Sequence, residues 1–274
     1  MKKIIEKYFP AFAAWYRWRR DLRSFSRQVM RPTRLGFDFI GVEGMPEARE
    51  ASGEVSALRD LLRGKDLFVD VGANCGLYSL LASQTATPVI AVEPNLLNFQ
   101  RLLENIRHNG FHHAEALNVA LGSERGRCLL YGGGEGASLV KNWGGMASTY
   151  AREVDVLTLD SLIEARTAAE SILIKIDVEG HELDVLAGAK QLLARVRAPT
   201  WILEHSFREN QQGGINTRFF ALFDLFWSAG YSCYTFDAMR RQVSRADVER
   251  WLSSGVRDYG GINYIFTKDA IGVS

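Results

Sequence analysis

The spacing of apolar positions changes near residue 66. Before that point Ile4, Ile5, Tyr8, Phe12, Trp15, Tyr16, Leu22, Phe25 and Val29 recur mostly at helical intervals, which predicts a helix over 3–31. Pro10 should divide it, because proline lacks the amide donor and clashes with the preceding turn. Pro32 should end it. The run LGFDFIG (35–41) reads as a strand or an extended lead-in. Residues 52–63 read as a second helix, with Ser52 as a cap and Gly64 just past the end.

From residue 67, short apolar runs alternate with amphipathic segments. Strands are predicted at LFVDVG (67–72), PVIAVEP (88–94), AEALNVALG (114–122), SILIKIDVEG (171–180), PTWILEHS (199–206), YSCYTFD (231–237) and NYIFTK (263–268). Helices are predicted at 77–83, 95–108, 181–195 and 216–229. Residues 123–150 are glycine-rich and irregular, with a short strand at CLLYG, and 154–165 hold a brief strand and a short helix. Strand–helix alternation implies parallel βαβ units and a doubly wound α/β sheet. The last two strands lack a clear crossover helix, since 238–261 are polar with only a short helix near 245–253. The expectation is therefore seven strands, mostly parallel, with the last antiparallel.

The length of 274 residues fits one large domain with a small added lobe. The division read from the sequence is a helical extension over 1–60 and a catalytic domain over 61–274. Apolar residues are 47% and charged residues 24%, which argues against a disordered chain, a collagen or a coiled coil. The net charge of +1 hides an asymmetry. Residues 1–34 hold ten basic and two acidic residues and carry +8, so the remaining 240 residues sum to −7. A basic arm on a mildly acidic body argues against nucleic acid as a partner of the body. It makes the arm a candidate for peripheral membrane or subunit contact, and Trp15, Tyr16 and Trp18 among arginines suit an interfacial helix. Cys75, Cys128 and Cys233 form no CxxC pair, which excludes a zinc ribbon and suits a reducing cytoplasm. No apolar run is long enough for a transmembrane helix. A lysine-rich start and a short apolar stretch evoke a signal peptide, but Glu6, Pro10 and the following arginines argue against one.

Four features carry chemistry. The first is Asp70-Val71-Gly72-Ala73-Asn74-Cys75-Gly76, a turn between strand and helix. Glycines there let backbone approach a ligand, and ligands of open α/β sheets bind beyond the carboxyl ends of strands. The spacing is neither G-x-G-x-x-G nor a P-loop. An acid before the turn repels a pyrophosphate and suits an α-ammonium. The second is Glu93, 23 residues after Asp70, placed to accept hydrogen bonds from ribose hydroxyls. The third is Lys175-Ile176-Asp177-Val178-Glu179-Gly180-His181, where Lys175, Asp177 and Glu179 alternate along a strand end and should share one face. Three charges on a central strand are costly unless they pair or face a site. The fourth is Glu204-His205, on the same rim if the two strands are neighbours. Each of these has a plainer reading as a tight turn, a solvated strand-end acid, a Lys–carboxylate pair or a structural histidine.

The strings FVDVGANCGLYSLLA, VIAVEPN, NVALG, LTLDSLI, ILIKIDVEGHELDVLAGA and the later LEH resemble the FkbM-type methyltransferase family, in order, over residues 66–206. The resemblance implies a class I, Rossmann-like methyltransferase fold and an S-adenosylmethionine cofactor. It also implies O-methylation of a sugar, glycan or natural-product hydroxyl. Carried onto matching positions, Asp70, Gly72, Asn74 and Gly76 hold the methionine end of the cofactor and Glu93 its ribose. Val119 and Ala120 meet the adenine. Asp177, Glu179 and His181 then face the acceptor together with Glu204. Asp177 or His181 is the base, and Lys175 steadies a carboxylate. Asp177 and Glu204 alone are too few ligands to assign a metal. The loop 132–147, with Trp143, is a candidate lid. Two rivals stand beside this reading. One is an NAD-dependent oxidoreductase, which would need glycine at position 74. The other is a methyltransferase-like module that only binds, docked through its basic arm.

Overall fold

The computed structural model describes residues 10–141, 143, 150–165, 169–211 and 214–269. Helix α1 (Pro10–Arg27) leads to strands β1 (Arg31–Pro32) and β2 (Asp38–Phe39), then helices α2 (Met45–Ala51) and α3 (Glu54–Leu61). The α/β part begins with β3 (Leu67–Val71), α4 (Leu77–Ser83), β4 (Val89–Val92), α5 (Leu96–His108) and β5 (Ala114–Leu117). Next come β6 (Ala120–Leu121), β7 (Gly126–Tyr131), β8 (Ala151–Leu157), α6 (Leu159–Glu164) and β9 (Ile172–Ile176). Helices α7 (Glu182–Ala187) and α8 (Lys190–Ala194), strand β10 (Thr200–Glu204) and helix α9 (Phe219–Ser228) follow. The chain closes with β11 (Ser232–Thr235), β12 (Gln242–Val243), α10 (Arg245–Ser254) and β13 (Asn263–Thr267).

The main sheet has the order β12-β11-β13-β10-β9-β3-β4-β5. Strands β5, β4, β3, β9 and β10 run parallel. Strand β13 is antiparallel to both β10 and β11. The expected closing antiparallel strand is therefore present, but it inserts between two others rather than lying at the edge. The expected seven strands are joined by the two-residue β12 on the outer edge, inside a segment that reads as polar.

Each face of the sheet buries its own cluster. Val69, Val71, Ile174, Ile176 and Leu203 face α6 to α10, whose Leu162, Val185, Phe219, Phe223, Phe226 and Trp251 are buried there. Phe68, Leu173, Ile202 and Ile265 face the opposite way, against Leu58 of α3, Leu80 and Leu81 of α4 and Leu102 of α5. Buried on both faces, the central strands read as continuous apolar runs, as parallel sheets require.

Several boundaries differ from expectation for local reasons. The first helix is described only from Pro10, and residues 1–9 lie outside the described residues. Residues 35–41 form only the two-residue β2, paired with β1. Residues 45–51, without a predicted helix, form α2, with Pro46 in its first turn. The expected strand 114–122 breaks after Leu117, and its end becomes β6 of a second sheet ordered β6-β8-β7. The expected helix 181–195 breaks at Gly188, where a Cβ would lie 2.1 Å from the Gly122 carbonyl oxygen. Beyond the break, Asp160 accepts from the amides of Gln191 (2.9 Å) and Leu192 (3.0 Å) and restarts the helix.

Candidate active site

A cavity of about 390 Å³ opens at the carboxyl ends of β3, β4, β9 and β10. On one side the β3–α4 turn supplies Gly72 and Asn74, both at positive φ (80° and 53°). A Cβ at Gly72 would lie 1.8 Å from the Asp177 carbonyl oxygen, so only glycine fits between the two strands. Asn74 donates its backbone N–H to Glu93 at 2.9 Å, and Asn95 donates its own to the other Glu93 oxygen at 2.8 Å. Burial pushes the Glu93 carboxyl up to about 7, against the lowering effect of these two amides and Asn98. The Asn74 side-chain oxygen is buried without a partner among the described residues. Val119 and Ala120 line the same cavity.

Two expected cofactor residues stand elsewhere. Gly76 is not on the wall; its φ of 93° and the close Leu102 side chain, 2.5 Å from where a Cβ would stand, give it a packing role. Asp70 is fully buried and also off the wall. Strand alternation puts it on the Phe68 face, under α4, where Ser79 donates to it at 2.6 Å. It sits opposite Lys175 in the strand register. Burial raises its pKa, and Lys175 opposes that rise. Its side chain is thus a partner of Lys175 beneath the cavity.

The other side of the cavity holds the charges. Lys175 is 1% exposed, and its ammonium lies 2.8 Å from Asp177 Oδ2 and 4.4 Å from the Tyr78 ring centroid. Burial works against its charge, but Asp177 and Asp70 outweigh it and raise its pKa. Asp177, Glu179 and Glu204 present oxygens that all lie within 4.8 Å of one another. Neighbouring β9 and β10 bring Glu204 to this rim, as the sequence implied. Burial, then the Asp177 and Glu179 charges, hold the Glu204 carboxyl well above the usual carboxylate range. The cluster therefore favours a proton on Glu204 more than an isolated carboxylate would. Three carboxylates at this spacing also form a donor set for a hard cation, although Lys175 and Arg49 already supply two positive charges beside them.

Strand β9 ends at Ile176, so Glu179 does not follow by simple alternation. Its φ of 53° turns it back toward the cavity. The same turn carries His181 away. His181 lies off the cavity wall, beside Asp184 (3.4 Å), and burial lowers its pKa. His181 therefore stands apart from the Asp177–Glu179–Glu204 cluster. His205 is buried and lines a different cavity.

Sequence reasoning missed Arg49, Glu54 and Tyr78. Arg49 pairs with Glu54 at 3.2 Å, and the Tyr78 hydroxyl donates to the same carboxylate. Burial opposes the Arg49 charge, yet Tyr78, Glu54, Asp177 and Glu204 together raise its pKa. Phe39, Met45 and Arg49 line the cavity, so part of the segment assigned to the extension is a wall of the site. The only cue was Gly44-Met45-Pro46, a helix-start pattern with no chemical content. Of the glycine-rich loop, Gly134, Ala137 and Leu139 line the cavity; 142 and 144–149 lie outside the described residues.

Strand order, antiparallel insertion, glycine turn and second-strand acid together define a class I methyltransferase. A model of the methyltransferase FkbM domain matches residues 70–233, and the chain belongs to that family. It is 32% identical over 165 residues to the hexuronic acid methyltransferase AglP of Haloferax volcanii. That match covers 58% of this chain and 66% of AglP, just short of two thirds of the relative. Among solved structures, the methyltransferase FkbM from Methylobacillus flagellatus shares 23% identity over 51% of this chain and 32% of its own, with a TM-score of 0.37. Monomeric WbdD shares 13% identity over 83% and 42%, with a TM-score of 0.42. No helix among the described residues is long and apolar enough to cross a membrane.

Proposed function

We propose that the protein transfers a methyl group from S-adenosylmethionine to an oxygen of a sugar or glycan, with natural-product hydroxyls as the wider acceptor class. The single observation that carries this reading is one continuous cavity with two unlike ends. The Gly72–Asn74 turn, Glu93 and Val119–Ala120 form one, and the Lys175–Asp177–Glu204 cluster forms the other. The residues present fit the cofactor. The unpartnered Asn74 oxygen suits an α-ammonium, Glu93 suits a ribose diol, and glycine at 72 permits close backbone approach. When bound, the cofactor supplies a sulfonium-activated methyl carbon.

The chain's own residues then have distinct tasks. Asp177 takes the proton of the acceptor oxygen, while Lys175 fixes the carboxylate and balances its charge. Glu204, on the same rim, hydrogen-bonds the acceptor beside Asp177. The walls from Phe39, Met45 and Leu139 exclude water from these charges. A relative that acts on hexuronic acid supports the sugar class. For the basic arm we propose peripheral membrane contact, since Phe12, Trp15 and Tyr16 of α1 are exposed. Loss of anionic-liposome binding on removal of residues 1–27 tests it.

The test of the main reading is calorimetry with S-adenosylhomocysteine and with NAD, followed by transfer of labelled methyl groups to hexose and hexuronic acid glycosides. Tight binding of adenosylhomocysteine, none of NAD, and labelled sugar are expected. Binding of NAD alone, or absence of label from every glycoside, overturns it.

A further inference from the structure

A second cavity of about 390 Å³ lies beside the first, and its wall holds His205. His205 is 3% exposed, and neither ring nitrogen has a hydrogen-bond partner among the described residues. Its ring stacks on Phe219 at 5.2 Å and 7°, which fixes the plane in which both nitrogens lie. A Glu182 carboxylate oxygen is 3.9 Å from Nδ1, too far for a hydrogen bond. Through its other oxygen Glu182 accepts from the Gly180 amide at 2.8 Å. The side-chain nitrogen of Gln211, on the same wall, is likewise buried and unpartnered among the described residues. Buried polar groups are almost always paired in folded proteins, so two orphans on one cavity wall point to a bound partner.

The two cavities share a partition. Glu179, on the wall of the first, accepts from Trp143 Nε1 at 2.7 Å and from Asn210 Nδ2 at 3.5 Å, and both of these line the second. A ligand reaching across Glu179 would occupy both.

We propose that the second cavity binds the sugar residue adjoining the one that accepts the methyl group. The proposal rests on the glycan-acceptor reading above. Its chemistry selects a neutral, polyhydroxylated ring. An imidazole ring offers two nitrogens for hydrogen bonds, and a primary amide nitrogen needs acceptors; a hydroxyl both donates and accepts. The wall carries Lys141, Arg218 and Glu182, and Arg218 is already paired at 3.4 Å with Asp184 beside the wall, so an anion gains little surplus attraction. The volume lies in the ordinary range for small-molecule sites.

The test compares monosaccharide and disaccharide glycosides of hexoses and hexuronic acids. Their methyl transfer is measured in the intact protein and in His205→Phe and Gln211→Ala. Binding is read in parallel by saturation-transfer NMR with adenosylhomocysteine present, and unfolding temperature reports the fold of each variant. We expect kcat/KM for a disaccharide to exceed that of its monosaccharide by about tenfold. Either variant should cut the disaccharide value about tenfold more than the monosaccharide value. Disaccharide preference absent, or equal losses for both lengths, overturns the subsite and leaves the sugar reading standing. Disaccharide binding that is lost in the variants, without methylation of any sugar, overturns the sugar-acceptor reading and keeps the subsite.

Discussion

The α-carbon of Gly72 passes so close to Asp177 that a methyl group there would sit 1.8 Å from its carbonyl oxygen. The turn proposed to hold the cofactor and the strand end proposed to hold the base are thus in backbone contact, and displacing one displaces the other.

Gly72→Ala tests that contact. Alanine at φ 80° is strained, and the clash is with backbone that cannot rotate away. The expected cost is at least about 2 kcal/mol, a fall in Tm of roughly 4–8 °C for a domain of this size. Adenosylhomocysteine affinity should fall with it. A variant with unchanged Tm and unchanged affinity would show that the strands separate freely.

The parts of this site that were legible in the sequence are those written in adjacent residues. DVGAN at a strand end, Glu93 one crossover later and Lys175–Asp177 on one strand are local patterns, and parallel neighbours bring their ends together. Where Asp70 lies was not legible, because its facing depends on the strand's partners: it shares the Phe68 face and lies under α4. Nor was the place of His181, because two residues at positive φ, Glu179 and Gly180, stand between it and the strand. Arg49 was invisible, since it reaches the cavity from a helix with no motif and only tertiary packing places it. The second sheet was hidden for a related reason. It begins when β5 breaks at Asn118, whose side-chain Nδ2 donates to the Glu93 carbonyl at 2.8 Å.

Lys175 bonds Asp177 and acts through its charge on Asp70, and its removal should separate stability from chemistry. Lys175→Met leaves Asp70 and Asp177 without their counter-charge, and breaking a buried pair from one side costs about 3–5 kcal/mol. Adding Asp70→Asn removes one orphaned charge, so Lys175→Met/Asp70→Asn should regain part of that loss. It should not regain turnover, because Asp177 stays unfixed. Asp177→Asn alone should lower kcat by about 10²–10⁴-fold, with some loss of stability because Lys175 loses the carboxylate it bonds. Denaturant melts and single-turnover methyl transfer read the two quantities. Near-full turnover in Asp177→Asn removes it from the role of base.

Arg49 is a half-buried cation on the cavity wall, with its charge strengthened by Asp177 and Glu204 nearby. A carboxylate-bearing acceptor must sit near the acids Asp177, Glu179 and Glu204, and Arg49 is a cation placed to offset them. Arg49→Gln should raise KM for a hexuronic acid glycoside about tenfold, and raise it less for the neutral hexoside. Equal changes for both would assign Arg49 to holding Glu54 and Tyr78 alone.

Glu93 gives the protein a pH dependence whose sign is opposite to that of an ordinary salt-bridged acid. Its carboxyl is raised from 4.5 to about 7 by burial. Between these values the folded state binds more protons than the unfolded state, so stability falls as pH rises from about 4.5 to 7. The contribution at stake is up to roughly 3 kcal/mol. Denaturant stability measured without cofactor at pH 5, 6, 7 and 8 should show this decline. Glu93→Gln should be less stable throughout, because its amide opposes one of the two backbone N–H donors, but its pH slope over this window should be smaller. Cofactor binding adds a second reading. Ribose hydroxyls donating to Glu93 favour the ionised form, so binding near pH 7 should release a fraction of a proton. Calorimetry in two buffers of different ionisation enthalpy measures that release. No proton release in the intact protein, or the same release in Glu93→Gln, would take the ribose away from Glu93.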